Sequence, residues 1–491
     1  MKAKAVLCLF LTALLGLSAC QATPEKVVVS KNNGEFEANV TVSAGGTHEP
    51  DAMQDIIYNE TFSSTDGSVE FQFAIEETVT AANMPVLLVE PHFLTSEDAE
   101  RIAYTIFDEN SVFCNTAGDY PWTAAELEEV IGIWEALLDA DYYTFVMGET
   151  SKSEMESDWE LLEKKIAEYS ALLSTASQTC SEFAGFEIRD EFYFLYPSSW
   201  TADMSEAEIN ALIEELDDAF EARVISHQVS YKYSVSTRHK SDYNYNLVYV
   251  YPWYPAYCGN FDTEYYQSLL CSRDEPATQE QVEAVREQAL ELLNAPGLGE
   301  WYIASCEAEQ LYCGHMVVSV TALPVLEGLH AVRQPQVSLR DNAASNYRYT
   351  TAELMYAPDG TILKAVITSP IDIVEVLNDN VATYSFDELM EHAKTYFSLS
   401  DAYNYGMETT LDYYGAENIG CTVEVNRAEY GLARVRVDEN SDNYYYVPAL
   451  ILYGDVTYYF TEDGETVESY ENRQLVAINA VDNTIINSVN S

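Results

Sequence analysis

Basic residues are scarce in this sequence. Its 491 residues contain 24 Lys and Arg against 81 Asp and Glu, which gives a formal net charge of −57. A nucleic-acid-binding surface needs clustered Lys and Arg to neutralise phosphates, and no such cluster occurs in this chain. The same scarcity argues against electrostatic attachment to anionic lipid. The composition therefore excludes nucleic acid as a partner and favours a soluble, strongly acidic surface.

Long hydrophobic runs are absent beyond the N-terminus, where no stretch approaches the roughly 20 apolar residues of a membrane-spanning helix. Two lysines precede an apolar segment from Ala5 to Leu17, which is the layout of a secretory signal peptide. The Leu-Ser-Ala-Cys motif that ends at Cys20 resembles the bacterial lipobox, which implies cleavage after residue 19 and lipid on Cys20. A plain signal peptide that contains a cysteine is the alternative. We predict a lipid-anchored protein on the outer face of the cell membrane.

Catalytic signatures are missing as well. The sequence contains no GxSxG, GxxxxGK[ST], HExxH or GxGxxG motif, and its seven histidines include no pair at helical ligand spacing. The run Asp438-x-Asn440-x-Asp442 starts like a calcium loop but lacks the glycine and glutamate that such a loop needs, so it is predicted to connect a hairpin. We predict that the protein is not an enzyme and uses no metal or cofactor. A hydrolase without a recognisable motif is a further reading, with no positive support in the sequence.

Cysteines are few but informative. Of nine in the chain, Cys8 leaves with the signal peptide and Cys20 carries lipid, so seven remain. An exported protein can form disulfides, and spacing makes three pairs plausible: Cys258/Cys271, Cys306/Cys313 and Cys114/Cys180. Because seven is odd, at least one thiol stays free, and Cys421 is the expected one. No spacing is CxxC, so a zinc site is not expected.

Amphipathic runs beginning with a Ser or Thr cap, and an acid or Gln three residues later, predict helix N-termini. The pairs are Thr95/Asp98, Thr123/Glu126, Ser153/Glu156, Ser205/Glu208, Thr278/Gln281 and Ser385/Glu388. Asp-Gly pairs between β-rich runs predict hairpins at 66–67, 359–360 and 463–464. Helices followed by groups of strands predict an α+β fold, with antiparallel sheets packed against the helices.

The domain organisation follows from local composition. Residues 20–54 are polar and lack sustained periodicity, which is typical of a flexible tether. Polar turn residues at Asp274-Glu275-Pro276 precede a new capped helix, which favours a boundary there. We therefore predict an N-terminal α+β domain over 55–275 and a C-terminal α+β domain over 276–491.

Several segments spread over the mature chain carry a family resemblance: CQATPEK, MPVLLVEPHFLTSEDAERIAYTIF, DGTILKAVITSP, YSFDELMEHAKTYF, AEYGLARVRV, YYYVPALILYG and QLVAINAVDNTIIN. They resemble uncharacterised lipoproteins of clostridia and related Gram-positive gut bacteria. The last segment, with its turn at Asp482-Asn483, also resembles the end of a PepSY-type module. That likeness implies a role in inhibiting or regulating extracytoplasmic proteases or signalling proteins, and it supplies no active site.

Tyrosine is abundant, with 37 residues, and one stretch concentrates aromatic residues. Its members, which we call the tyrosine ribbon, are Tyr243, Tyr245, Tyr249, Tyr251, Trp253, Tyr254 and Tyr257. The first four have even spacing and so share one strand face, and Tyr231 and Tyr233 of the preceding strand are predicted to pair across from them. An exposed ribbon can stack on sugar rings. Alternatively, its rings pack beneath a helix or against neighbouring strands.

These observations favour a non-catalytic surface lipoprotein that binds a protein or regulates an envelope component. The alternative is a lipoprotein that captures a surface glycan through the tyrosine ribbon. Solvent exposure of those rings distinguishes the two hypotheses, because buried rings cannot stack on sugars.

Overall fold

The structure of the protein is a computed structural model. It describes residues 39–42, 53–80, 83–115, 123–125, 127–128, 131–132, 135, 156–177, 183, 185–186, 188, 220–226, 229–237, 246–252, 276–295, 298–310, 316–332, 349–399, 419–437, 443–461 and 464–486.

Four helices and seventeen strands have defined bounds within these residues, and residues 39–40, 124–125, 127–128, 131–132 and 135 are also helical. The helices are α1 Ser96–Ile106, α2 Glu156–Leu173, α3 Gln279–Leu293 and α4 Phe386–Leu399. The strands are β1 Met53–Ser63, β2 Val69–Thr80, β3 Val86–Pro91, β4 Val112–Asn115, β5 Phe220–Ser226, β6 Val229–Thr237, β7 Asn246–Pro252, β8 Glu300–Gln310, β9 Met316–Leu326, β10 Leu329–His330, β11 Thr351–Tyr356, β12 Ile362–Thr368, β13 Ile371–Asn378, β14 Ile419–Arg436, β15 Tyr444–Phe460, β16 Thr466–Asn479 and β17 Ile485–Ile486. The predicted α+β class is confirmed.

The predicted helix starts are found where the structure describes them. Thr95 and Thr278 form capping boxes with Asp98 and Gln281, and Ser385 does the same with Glu388. In each box the hydroxyl accepts the amide proton three residues on, while the side chain there accepts from the cap's own backbone N–H. The Ser205/Glu208 pair and Ser153 lie outside the described residues.

The predicted hairpin turns are also present. Gly67 and Gly360 have φ of 75° and 88° between paired antiparallel strands, a left-handed conformation that glycine adopts without steric cost. Gly464 has φ of 77° in the β15–β16 hairpin, and Asn483 has φ of 57° between β16 and β17. Turn chemistry in the sequence therefore fixes these four connections.

The chain forms two compact units that do not follow the predicted boundary. The terminal unit combines residues 1–90, 326–345 and 373–491, and the central unit combines 91–325 and 346–372. The predicted division between 275 and 276 is wrong, because it falls inside the central unit. The reason is non-local strand pairing: β2 pairs in parallel with β14, so both ends of the chain build one sheet.

The terminal unit contains a sheet with the order β1-β2-β14-β15-β16-β17, while β3 also pairs with β15 and β13 pairs with β3. Helix α4 covers one face of this sheet. Its Phe397 contacts the rings of Phe71 and Phe73 with centroids 5.2 and 5.7 Å apart. Burying these rings together stabilises the unit, since each aromatic side chain removes a large apolar area from water.

The central unit contains an antiparallel sheet that runs β8-β9-β11-β12-β7-β6-β5-β4. Helices α1 and α3 each bury one stripe in the hydrophobic core of this unit, with Ala99, Ile102 and Ala103 from α1 and Val282, Val285, Ala289 and Leu293 from α3. The three- and four-residue spacing of these positions is the amphipathic pattern expected from the sequence.

Residues 39–42 lie within the predicted tether, yet they pack into the terminal unit. Val40 is buried, Asn39 donates to the carbonyl of Val481, and Asn378 donates to the carbonyl of Val40. The prediction of a free tether over 20–54 is therefore wrong at this point, because an apolar side chain and its backbone find core partners. No helix in the described part of the chain has the length and apolarity to cross a membrane.

Candidate functional site

The two tyrosines predicted to face the ribbon lie on the opposite side of the sheet. Tyr231 and Tyr233 are buried in the core of the central unit, where Tyr233 donates to the carbonyl of Ala99 in α1 at 2.7 Å. In the β6–β7 register, Tyr249 pairs with Ser234 instead. A one-residue offset places side chains on opposite faces, so the predicted cross-strand tyrosine pairing is wrong and the two rings pack beneath a helix.

Only part of the ribbon itself is described. Tyr249 is half-buried, and Tyr251 belongs to β7 without a described side chain. The other five members lie outside the described residues: Tyr243, Tyr245, Trp253, Tyr254 and Tyr257. The exposure on which glycan binding depends is therefore not tested, and the ribbon stays a prediction.

The cysteines follow the predictions in part. Cys421 is free and buried, as expected, and burial raises the pKa of its thiol to about 12. Cys306 is also free and buried, with its thiol 3.5 Å from the carbonyl of Val282, so the predicted Cys306/Cys313 disulfide is wrong. Cys114 is disulfide-bonded. Cys180, its predicted partner, and Cys258, Cys271 and Cys313 lie outside the described residues.

The central unit contains a polar cluster around the carboxylate of Asp98, at the start of α1. Asp98 is buried and accepts hydrogen bonds from the backbone N–H and the hydroxyl of Thr95, at 2.8 and 2.7 Å. Arg101, one turn along the helix, donates to its other oxygen. His92 Nε2 lies 3.1 Å from Asp98, and His92 Nδ1 lies 2.8 Å from Asp372. A single carboxylate therefore joins a helix cap, an arginine and a histidine.

Electrostatics in this cluster favour the charged forms of its members. Burial alone would raise the pKa of Asp98, but hydrogen bonds from Thr95 and His92 outweigh it and lower that pKa. Burial would lower the pKa of His92, but Asp372 and Asp98 together raise it. Because carboxylates occupy both ring nitrogens, the imidazole has no nitrogen left to accept a proton from a substrate.

The terminal unit contains a second cluster, around the carboxylate of Glu429 in β14. Tyr453 donates to Glu429 Oε1 at 2.5 Å, and Arg427 donates to Oε2 at 3.2 Å. His330 Nε2 lies 3.7 Å from Oε1. The guanidinium of Arg427 also stacks on the ring of Tyr453, at 3.8 Å from its centroid. Glu429 thus has the same three kinds of partner as Asp98: a hydroxyl, an arginine and a histidine.

Irregular strand pairing positions this second cluster. The register shifts between Val425 and Arg427 in β14 and again beside Asp455 in β15. Asp455 ties both irregularities together, since it accepts from Asn426 at 3.1 Å and from the backbone N–H of Asn472 at 2.7 Å. Gly454 allows the strands to approach, because a Cβ there would collide with the carbonyl oxygen of Glu424. Beyond the first shift Arg427 pairs with Tyr453, so the register after the bulge brings the Tyr453 hydroxyl to the Glu429 carboxylate.

Burial would raise the pKa of Glu429, but the nearby imidazole of His330, the hydrogen bond from Tyr453 and the charge of Arg427 lower it. Sequence reasoning missed both clusters as units, although it did identify the Thr95/Asp98 cap. His92 stands three residues before that cap, which is a signal that could have been read. The Glu429 cluster has no such local signal.

A third feature is a group of exposed apolar side chains on β13. We call Ile373, Val374 and Val376 the β13 patch; their side chains are 39%, 48% and 41% exposed. Consecutive residues of a strand point to opposite faces, so neither face of β13 is covered at these positions. Within the described residues, β13 pairs with β3 alone, which makes it an edge strand of the sheet.

Another described edge strand of this sheet, β1, differs from β13. Its alternate residues Ile56, Tyr58, Glu60 and Phe62 are at least partly buried, and its outward face is polar apart from Ile57, which is 69% exposed. This is the ordinary pattern of an edge strand with one face on the core. The β13 patch departs from it by exposing apolar side chains on both faces.

No group of three or more His, Cys, Asp and Glu side chains in the described ranges is placed to hold a metal ion.

Comparisons with known proteins return little. No family model and no curated protein match this chain. One solved structure, an uncharacterised protein from Eubacterium rectale, aligns with a TM-score of 0.28 and 10% identity, over 58% of this chain and 82% of its own length.

Proposed function

We propose that this protein is a non-catalytic cell-surface lipoprotein that binds an envelope protein. The lipobox-like motif at Cys20 supports the anchor, and the resemblance to clostridial lipoproteins with a PepSY-like end supports a regulatory role.

The β13 patch is the observation that carries the binding function. Soluble proteins normally cover contiguous apolar side chains, and those left exposed at one place mark interaction sites. Three of the large apolar residues that this chain exposes fall within four positions of one strand. A strand edge also offers backbone donors and acceptors, so the patch can bind through both apolar and main-chain contacts.

The Asp98 and Glu429 clusters support a non-catalytic role. In each, the carboxylate is held by internal partners and its pKa is lowered, whereas a general acid at neutral pH needs a raised one. His92 is held between two carboxylates. Both clusters therefore hold strands and a helix in place rather than facing a substrate.

The test is site-specific photo-crosslinking in the native host. A photoreactive amino acid replaces Val374 in one strain and Ile57 in a matched control strain, since both side chains are exposed on edge strands of the same sheet. We expect a crosslink from position 374 to one exported protein, identified by mass spectrometry. A second substitution, Val376→Lys, should abolish that crosslink. Equal crosslinking from both positions, or none from 374, would refute the proposal.

The anchor has its own test. Cys20→Ala should move the protein from the membrane fraction to the medium, because the acylation site is lost. Retention of the variant at the membrane would contradict the lipid anchor.

A further inference from the structure

We infer that the β13 patch binds its partner by strand addition, and that the partner supplies an extended segment of alternating basic and apolar residues. This inference rests on the proposed function and specifies the mode of binding and the chemistry of the partner. Three observations carry it: the position of β13 in the sheet, the character of its side chains and the local charge.

The position of β13 leaves one side of its backbone available. Since it pairs with β3 alone among the described strands, no described strand bonds to the N–H and C=O groups on its other side. An incoming strand can hydrogen-bond to these groups and extend the sheet. Alternate side chains of the new strand would then contact Val374 and Val376 on one face and Ile373 on the other.

Local charge selects a basic partner. Glu375 lies within the patch and Asp379 directly follows the strand, while no lysine or arginine occurs between Lys364 and Lys394. A strand carrying Lys or Arg at alternate positions would pair with these carboxylates across the ladder. Its remaining positions would carry the apolar residues that cover Val374 and Val376 on the opposite face.

Charge also argues against a second copy of this chain as the occupant. Two copies with a formal charge of −57 each repel one another, and antiparallel pairing of two β13 strands would bring their acidic residues together. Acidic residues on an exposed edge thus oppose self-pairing while leaving the edge open to a basic strand.

The test uses the mature chain with Cys20→Ser and a synthetic peptide of alternating lysine and valine. A second peptide has the same sequence with alternate backbone nitrogens methylated, which keeps its charge and removes the hydrogen-bond donors of one edge. Hydrogen exchange at physiological salt reports which amides each peptide protects. We expect the first peptide to protect those amides of residues 373–376 that point away from β3, and the methylated peptide to leave them unprotected.

Two variants sharpen the result. Val374→Lys should weaken binding of the first peptide about tenfold, because it adds a like charge and removes an apolar contact at the patch centre. Ile57→Lys makes the same change on the β1 edge and should leave binding unchanged.

Some outcomes would overturn the inference. Equal protection by both peptides would show attraction by charge alone, and protection confined to β1 would place the site elsewhere. A dimer of the free protein that protects residues 373–376 would identify a second copy as the occupant. If the peptides fail while photo-crosslinking at position 374 succeeds, strand addition is wrong and the proposed function stands. If both experiments fail, the proposed function is wrong as well.

Discussion

The Asp98 and Glu429 clusters use the same chemistry and differ in how the chain assembles it. Asp98 and Glu429 each bind a hydroxyl, an arginine and a histidine. Around Asp98, three of the partners come from residues 92–101, on and just before one helix. Around Glu429, the partners come from positions 330, 427 and 453, which strand pairing brings together. The comparison separates polar sites that local sequence specifies from sites that exist only once a sheet has formed.

The largest expected loss of stability comes from disturbing the close approach of β14 and β15 beside the Glu429 cluster. Gly454→Ala should lower the free energy of unfolding of the terminal unit by about 3 kcal/mol, since the new Cβ collides with the Glu424 backbone. Chemical denaturation measures the change. Gly464→Ala is the matched control in the same hairpin, where nothing lies within 4 Å and only the positive φ is strained. Equal effects at the two glycines would contradict the role assigned to close packing.

Removing each central carboxylate tests the clusters directly. Asp98→Ala should lower the free energy of unfolding by about 2 kcal/mol, because it leaves donors from Thr95 and Arg101 without their buried acceptor. Glu429→Ala should lower the free energy of unfolding by about 1.5 kcal/mol. The smaller effect is expected because the Glu429 side chain is 22% exposed, against 6% for Asp98, so water can replace part of the lost hydrogen bonding. Glu97→Ala and Glu424→Ala are exposed controls that should change little. A larger loss at Glu429 than at Asp98 would contradict this dependence on burial.

The helix cap supplies a smaller test of the local cluster. Thr95→Ala should lower the free energy of unfolding by about 1 kcal/mol, the usual value for losing a capping hydroxyl. Thr278→Ala removes the same hydroxyl from the capping box of α3, which is exposed. We expect the loss at Thr95 to be the greater of the two in thermal unfolding, because its hydroxyl also serves the buried Asp98. A smaller loss at Thr95 would show that the cap acts independently of the cluster.

The smallest expected effect is on the pH dependence of the free energy of unfolding. Because the pKa of His92 is raised in the folded protein, His92 contributes fully to the free energy of unfolding below its unfolded pKa, about 6.5. This contribution is lost as pH rises through the folded pKa. Because the pKa of Asp98 is lowered in the folded protein, Asp98 contributes to the free energy of unfolding above its unfolded pKa, about 4. This contribution is lost as pH falls through the folded pKa. His92→Gln should therefore flatten the stability profile mainly on the alkaline side, with a smaller change on the acid side because Asp98 loses one of the partners that lower its pKa. An unchanged alkaline slope would contradict the ion pairs of His92.

Features that neighbouring residues specify could be predicted from the sequence, whereas features that depend on strand pairing could not. The Thr95, Thr278 and Ser385 caps and the Asp-Gly turns depend on residues within four positions of each other, and the structure has them as predicted. The tyrosine pairing failed because one residue of register decides which face a side chain occupies.

The domain boundary failed for a related reason. Composition marks turns, but it does not reveal that β2 pairs with a strand from the far end of the chain. The Glu429 cluster depends on bulges in β14 and β15, and no local pattern announces where a bulge will fall. The β13 patch reads in sequence as an ordinary strand, because its exposure is a property of its neighbours.

The parallel pairing of β2 with β14 sets the order in which the protein can be completed. Every segment of the central unit precedes residue 373, so that unit can close while the rest of the chain is still being made. The β1–β2 hairpin must wait until Cys421–Val425 arrives to pair with Val69–Phe73. A chain that stops early therefore leaves the edge of β2 and the phenylalanines beside it open to water, so any factor that recognises exposed strands can tell truncated molecules from finished ones.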